Sequence, residues 1–173
     1  DPVDFDFGSC GHALCIVDTR ADHADLTDEY AAIRREMEAV AGCFGKSCLR
    51  EISEDDVMRN LGCLREKLGE RPVMRALHFF ADNQRVEKEA EALANGDFES
   101  FKALTVSSGR SSFMYNQNVY ASSAPLSQPV SLALAVSERL LDGVGAWRVH
   151  GGGFAGTIQA FVPENKLDES KNA

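Results

Sequence analysis

Residues 145–163, GAWRVHGGGFAGTIQAFVP, constrain the fold more than any other stretch. Trp147 and Val149 on one side, and Ile158, Ala160, Phe161 and Val162 on the other, belong to two apolar runs of strand length, AWRVH and TIQAFV. The GGGFAG between them leaves two readings. It is a hairpin turn that uses glycine for positive φ, or a bare backbone edge whose N–H groups lie against an anion such as a phosphate. The pattern alone does not separate them.

The rest of the chain supplies the partners of that hairpin. HALCIVDT, residues 12–19, reads as a strand, and the alternating Val3, Phe5 and Phe7 before it as a second short strand paired with it. A helix is expected from Thr27, with Thr27 as N-cap and Asp28 and Glu29 in the first turn. Tyr30, Ile33, Met37, Val40 and Ala41 then recur at helical spacing up to a stop at Gly42 or Gly45. A second helix opens on Ser53 and carries Val57, Leu61, Leu64 and Leu68. A third has Pro72 in its first turn and closes on Asn95-Gly96. DFESFKALTVSS adds a helix, residues 109–127 read as a long connection, and a short helix spans 128–141. The last residues, 164–173, form a polar tail expected to fray. With 173 residues, 44% of them hydrophobic, the economical architecture is one α+β domain over 1–163: an antiparallel sheet covered by helices.

Charge and composition narrow the partners. A net charge of −9 with no Lys/Arg cluster argues against nucleic acid and against an anionic membrane surface. There is no apolar run of about 18 residues to span a bilayer, and the acidic start DPVDFDFGSC is unlike a secretory signal, so the expected location is cytoplasmic. Five cysteines (Cys10, Cys15, Cys43, Cys48, Cys63) without Cys-x-x-Cys spacing read as reduced structural thiols. GCFGKSC at 42–48 contains Gly-Lys-Ser, but Val40 stands where a phosphate-cradling loop needs glycine, so Lys46 is a solvated loop residue. His78 and His150 have no nucleophile or carboxylate at meaningful sequence spacing and read as structural. Arg34 precedes Glu38 by four, as in a helix-surface pair. Glu87, Glu89 and Glu91 read as a solvated face.

WRVHGGGFAGTIQAFV resembles the third signature of the GHMP small-molecule kinases, a Gly-x-Gly-Phe-Gly-Gly loop between two C-terminal strands. Asp18, Thr19, His23, Tyr30, Arg34 and Arg35 resemble the galactokinase segment in which a strand ending in Asn/Asp-Thr precedes a helix bearing Tyr-Asn-x-Arg-Arg. Arg75, Ala76 and His78, then Gly96, Asp97, Phe101 and Leu104, and then Ser108, Arg110 and Ser111, continue the likeness in order. The resemblance implies the C-terminal domain of a galactokinase of the GHMP family, in a ferredoxin-like arrangement. It implies transfer of the ATP γ-phosphate to the anomeric hydroxyl of galactose, with ATP and Mg²⁺ held mainly by an N-terminal catalytic domain that this sequence lacks.

By the same resemblance Tyr30 contacts the sugar, and Gly151, Gly152, Gly153, Phe154 and Gly156 form the cofactor-side loop. No catalytic or metal-ligating residue is assigned to this chain. The family's Pro-x-x-x-Gly-Leu-Ser-Ser-Ser loop does not occur, so the chain alone is expected to be inactive. Two departures stand out: Ala155 replaces a glycine, and YASSAPLSQPV, residues 120–130, replaces Ser-Cys-Pro-Glu-Leu-Asp. They leave open a kinase for another sugar; the further alternative, a non-catalytic sugar-binding sensor, is distinguished only by the N-terminal half. A missing partner domain also implies an exposed apolar patch beyond what a monomer usually shows.

Overall fold

The computed structural model describes residues 3–20, 26–154 and 156–171. Strand β1 is His12–Asp18, β2 is Ala146–His150 and β3 is Thr157–Pro163. They form one antiparallel sheet in the order β1-β3-β2. Its registers run from His12 opposite Pro163 to Asp18 opposite Thr157, and from Ala146 opposite Phe161 to His150 opposite Thr157.

Between β1 and β2 run the helices α1 (Thr27–Gly42), α2 (Glu54–Arg59), α3 (Leu61–Leu68), α4 (Glu70–Ala94), α5 (Phe98–Ser111) and α6 (Pro129–Leu141). Alternation along β2 and β3 divides the sheet between two of them. Ala146 and Phe161 point to the α5 face, where Phe98, Phe101, Phe5 and Phe7 pack on them. Trp147, Val149, Ile158, Ala160 and Val162 point to the other face, against Val130, Leu134 and Leu141 of α6. A third core, Val40, Ala41, Val57, Leu64, Val73 and Ala76, joins α1 to α4 away from the sheet.

Several expectations are corrected, each for a local physical reason. Residues 3–6 pair with nothing as a strand and are followed by a 3-10 turn, Phe7–Cys10, whose N-cap Asp6 accepts from the Gly8 N–H. Phe7 lies 4.9 Å from the Phe161 ring, so aromatic burial, not a ladder, seats this segment. Leu26, not Thr27, caps α1, and no side-chain bond is made there.

Ser53 does cap α2, in a reciprocal box with Asp56. The single helix expected over 53–68 nevertheless breaks at Asn60, whose side-chain amide donates to the Asp56 carbonyl at 2.8 Å and competes with the helical ladder. Helix α5 runs on to Ser111, and Ser112–Asn116 form a π turn where a loop was expected. The tail forms a 3-10 turn, Glu164–Lys166, and α7, Leu167–Lys171. Leu167 packs on the α6-face core, and Lys166 Nζ donates to Leu140 O at 3.2 Å. All five cysteines are free; Cys48 and Cys63 are exposed, and Cys48 caps the 3-10 turn Leu49–Glu51, its Sγ donating to Glu51 Oε1 at 3.6 Å. Among the described residues no helix is long and apolar enough to cross a membrane.

Candidate functional site

The glycine run folds against the chain itself. In the β2–β3 turn Gly151 and Gly153 have φ of +66° and +85°, a region open to glycine at no steric cost. A Cβ on Gly152 would sit 2.6 Å from the Tyr30 ring, and one on Gly153 only 1.9 Å from Asn118 O. The two close approaches are therefore to a side chain of α1 and to the backbone after the π turn.

Hydrogen bonds lock this arrangement. Tyr30 Oη donates to Gly153 O at 3.0 Å, Phe154 N–H donates to Asn118 O at 2.6 Å, and Asn118 Nδ2 donates to Gly152 O at 3.3 Å. Phe154 is held at φ +59°, a left-handed conformation that costs a non-glycine residue about 1 kcal/mol. Its ring is 2% exposed and meets Tyr30 edge-on at 5.0 Å and 85°, which offsets that cost. At the base of the hairpin, Thr19 Oγ1 donates to Gly156 O at 2.6 Å, tying β1 to the same loop.

The supporting shell is ionic. Arg75, 1% exposed, donates Nε to Asn116 O and Nη1 to Glu36 Oε2, both at 2.9 Å, and Arg71 shares the Glu36 carboxylate. Burial lowers the Arg75 guanidinium below its ordinary value, and Glu36 opposes that shift. Arg75 thus anchors the end of the π turn, two residues before the Asn118 that seats the glycines. Next to Tyr30, Glu29 accepts from the Ser122 N–H at 2.8 Å and its hydroxyl at 2.7 Å. Burial pushes the Glu29 carboxyl up, but the bonds from Ser122 and Ser123 and the Arg71 charge hold it below the usual value. Burial raises the Tyr30 phenol, which therefore stays neutral.

The structure thus brings Thr19, Tyr30, Gly152, Gly153, Phe154 and Gly156 together, with Gly151 exposed at the turn. It leaves Arg34 paired with Glu38 at 2.7 Å on the outer surface of α1. His23 and Ala155 lie outside the described residues. The contacts of Asn118, Glu29 and Glu36 were not read from the sequence. Their partners are 34, 93 and 39 positions away, and no local pattern marks such contacts.

His78 does have partners. Its Nδ1 is 2.9 Å from Ser111 Oγ and its Nε2 is 4.0 Å from Asp82, which accepts from Ser108 Oγ at 2.6 Å. Ser111 is 3% exposed, so no substrate reaches this Ser-His-Asp set, and it works as a buried bridge between α4 and α5. His150 bonds Gln159 across the hairpin at 3.1 Å. Glu89 is half-buried, with Oε1 unbonded, and is not part of a solvated face. Among the described residues no group of three or more His, Cys, Asp or Glu could hold a metal ion.

No family model matches the chain. The crystal structure of Lactococcus lactis galactokinase complexed with galactose superposes with a TM-score of 0.71 at 19% identity, covering 94% of this chain and 40% of that one. The architecture is therefore that of the GHMP kinase fold. Galactokinase of Mycobacterium tuberculosis is 33% identical over 165 residues, 95% of this chain and 42% of the relative. Human galactokinase is 34% identical over 145 residues, 83% of this chain and 34% of the relative. The chain is a galactokinase-like domain that corresponds to the C-terminal part of these proteins and spans less than half their length.

Proposed function

We propose that this chain is the C-terminal domain, residues 1–163 and the helical turn after them, of a cytoplasmic sugar kinase that transfers the ATP γ-phosphate to the anomeric hydroxyl of galactose. The collinear 33% identity across 95% of the chain carries the reading. ATP and Mg²⁺ are held mainly by an N-terminal domain. Phosphoryl transfer requires positioning and charge neutralisation more than covalent chemistry, so a domain without a catalytic residue of its own still has a share in it. Tyr30 supplies that share: its Oη donates to Gly153 O, and the oxygen keeps lone pairs that accept from a sugar hydroxyl. Gly151, Gly152, Gly153, Phe154 and Gly156 form a rigid wall behind it on the nucleotide side of the cleft. The net charge of −9 suits a domain that leaves phosphate binding to its partner.

A second reading, a GHMP kinase for another sugar, is favoured by one contact. Ser122, inside the segment that departs from the galactokinase pattern, bonds Glu29 directly beside Tyr30. ADP release by the complete polypeptide with ATP, Mg²⁺ and a panel of hexoses tests both. Galactose-dependent release, absent from the 173-residue chain alone, is expected. Release with a different hexose selects the second reading. Binding of galactose without any release leaves a sensor, and turnover by the isolated chain refutes the division of labour.

A further inference from the structure

Tyr30 sits in the first turn of α1, and the N-cap of that turn is Leu26, which makes no side-chain bond to it. A helix end without such a cap frays. What holds the turn comes from far along the chain. Glu29, one residue before Tyr30, accepts from the Ser122 N–H and hydroxyl, and the Ser123 N–H bonds the same carboxylate. Hydrogen bonds to an ionised acceptor are about twice as strong as neutral ones, so the carboxylate is a firm tie. Ala121, beside the two serines, packs with Leu26 and Phe154, and Tyr30 and Ile33 close on the same cluster.

The other end of segment 116–123 is tied as well. Arg75 donates to Asn116 O and to Glu36, and Arg71, whose charge also acts on Glu29, bonds the same Glu36. Between the two ties Asn118 bonds Gly152 and Phe154. The segment therefore fixes both the turn from which Tyr30 projects and the hairpin against which it packs. Gly152 backs the Tyr30 ring and Gly153 O accepts its hydroxyl proton, so the direction of the phenol lone pairs follows from where α1 is held. Three donors from the chain itself occupy the Glu29 carboxylate, and its effect on a substrate passes through its neighbour.

We propose that Glu29 is a positioning residue for the sugar: by clamping Ser122 and Ser123 it fixes the first turn of α1 and so aims the Tyr30 hydroxyl at the sugar. The proposal rests on the reading that Tyr30 contacts a hexose in the complete kinase. It gives the 120–130 segment, which departs from the galactokinase pattern, a mechanical route to the sugar site.

The test is steady-state ADP release by the complete polypeptide with ATP, Mg²⁺ and the hexose it turns over best, with the urea midpoint of each variant measured in parallel. Glu29→Ala is expected to raise the hexose KM about 5- to 10-fold, the worth of one misplaced hydrogen bond, and to leave kcat and the ATP KM within about twofold. Glu29→Gln keeps an oxygen that accepts from Ser122 and is expected to bring the KM back to within about threefold of the wild type. In a Tyr30→Phe background there is no hydroxyl to aim, so Glu29→Ala is expected to change the hexose KM by less than about twofold. If Glu29→Ala does not fold, Ser122→Ala, which removes one hydroxyl donor, carries the same comparison at about threefold. Equal factors in the two backgrounds, an unchanged hexose KM, a Glu29→Gln enzyme no better than Glu29→Ala, or a parallel loss in kcat and the ATP KM overturns the proposal and leaves the kinase reading intact. A wild-type polypeptide without hexose-dependent ADP release overturns that reading and the proposal with it.

Discussion

The steric account of the glycine hairpin is tested by comparing Gly153→Ala with Gly151→Ala. Both positions have positive φ, so an added Cβ costs each about 1–2 kcal/mol. Only Gly153 also faces backbone. Its Cβ would stand 1.9 Å from Asn118 O, and ordinary contact begins at 3.4 Å, so the loop must withdraw by about 1.5 Å. That movement breaks the 2.6 Å bond from Phe154 N–H to Asn118 O and leaves a buried donor unpaired, a further loss of about 1–3 kcal/mol. The expected cost is about 2–5 kcal/mol at Gly153, a large part of a domain's total stability, and about 1–2 kcal/mol at Gly151, where nothing lies within 4 Å. Urea denaturation followed through the single Trp147, buried in the same sheet, reads both values. Equal costs at the two positions would refute the argument that the run exists to admit Asn118.

Gly152→Ala is expected to fall between these, because the atom in its way belongs to the Tyr30 ring, and the double variant with Tyr30→Ala should recover part of the loss; the urea midpoints decide. Tyr30→Phe removes one bond to a carbonyl and should cost about 1 kcal/mol of stability, while sugar affinity of the complete enzyme falls further if Tyr30 contacts substrate; calorimetric titration with galactose separates the two. Burial holds the His78 imidazole below its ordinary value of 6.5, with Asp82 opposing and Arg85 and Arg148 reinforcing the shift. Its contribution is therefore present above pH 6.5 and lost as pH falls through the lowered value, and His78→Gln should flatten stability against pH in that window. Burial raises the Glu89 carboxyl, so the fold favours its protonated form at low pH and loses that contribution as pH rises. Glu89→Gln should stabilise the protein by about 0.5 kcal/mol at pH 7 after solvent screening and by nothing well below pH 4.5, as read from thermal midpoints.

Periodicity was enough to find α1, α4, α6 and the three strands, because apolar spacing and capping residues are local causes with local effects. It overran at Asn60, where a side-chain amide competes with the ladder, and it stopped short at Gly109, since helical packing between α4 and β2 carries α5 on to Ser111 and into a π turn. The packing of Tyr30 on Gly152 and Gly153 was not legible in the spacing of residues. Nothing within twenty residues of either distinguishes a turn glycine from one pressed against an aromatic ring.

The sequence by itself determined that two strands meet at residues 151–156, that helices fill the space between β1 and β2, and that the domain is acidic. Tertiary structure alone decided that Gly152 and Gly153 yield space to Tyr30 and Asn118. It also decided that Arg75 holds the end of the π turn two residues before Asn118 and that β1 lies at the edge of the sheet formed by the described residues. Those facts depend on contacts between residues from 34 to 151 positions apart. Such contacts arise from the way α1, the π turn and the hairpin pack together, and residue spacing along the chain holds no record of that packing.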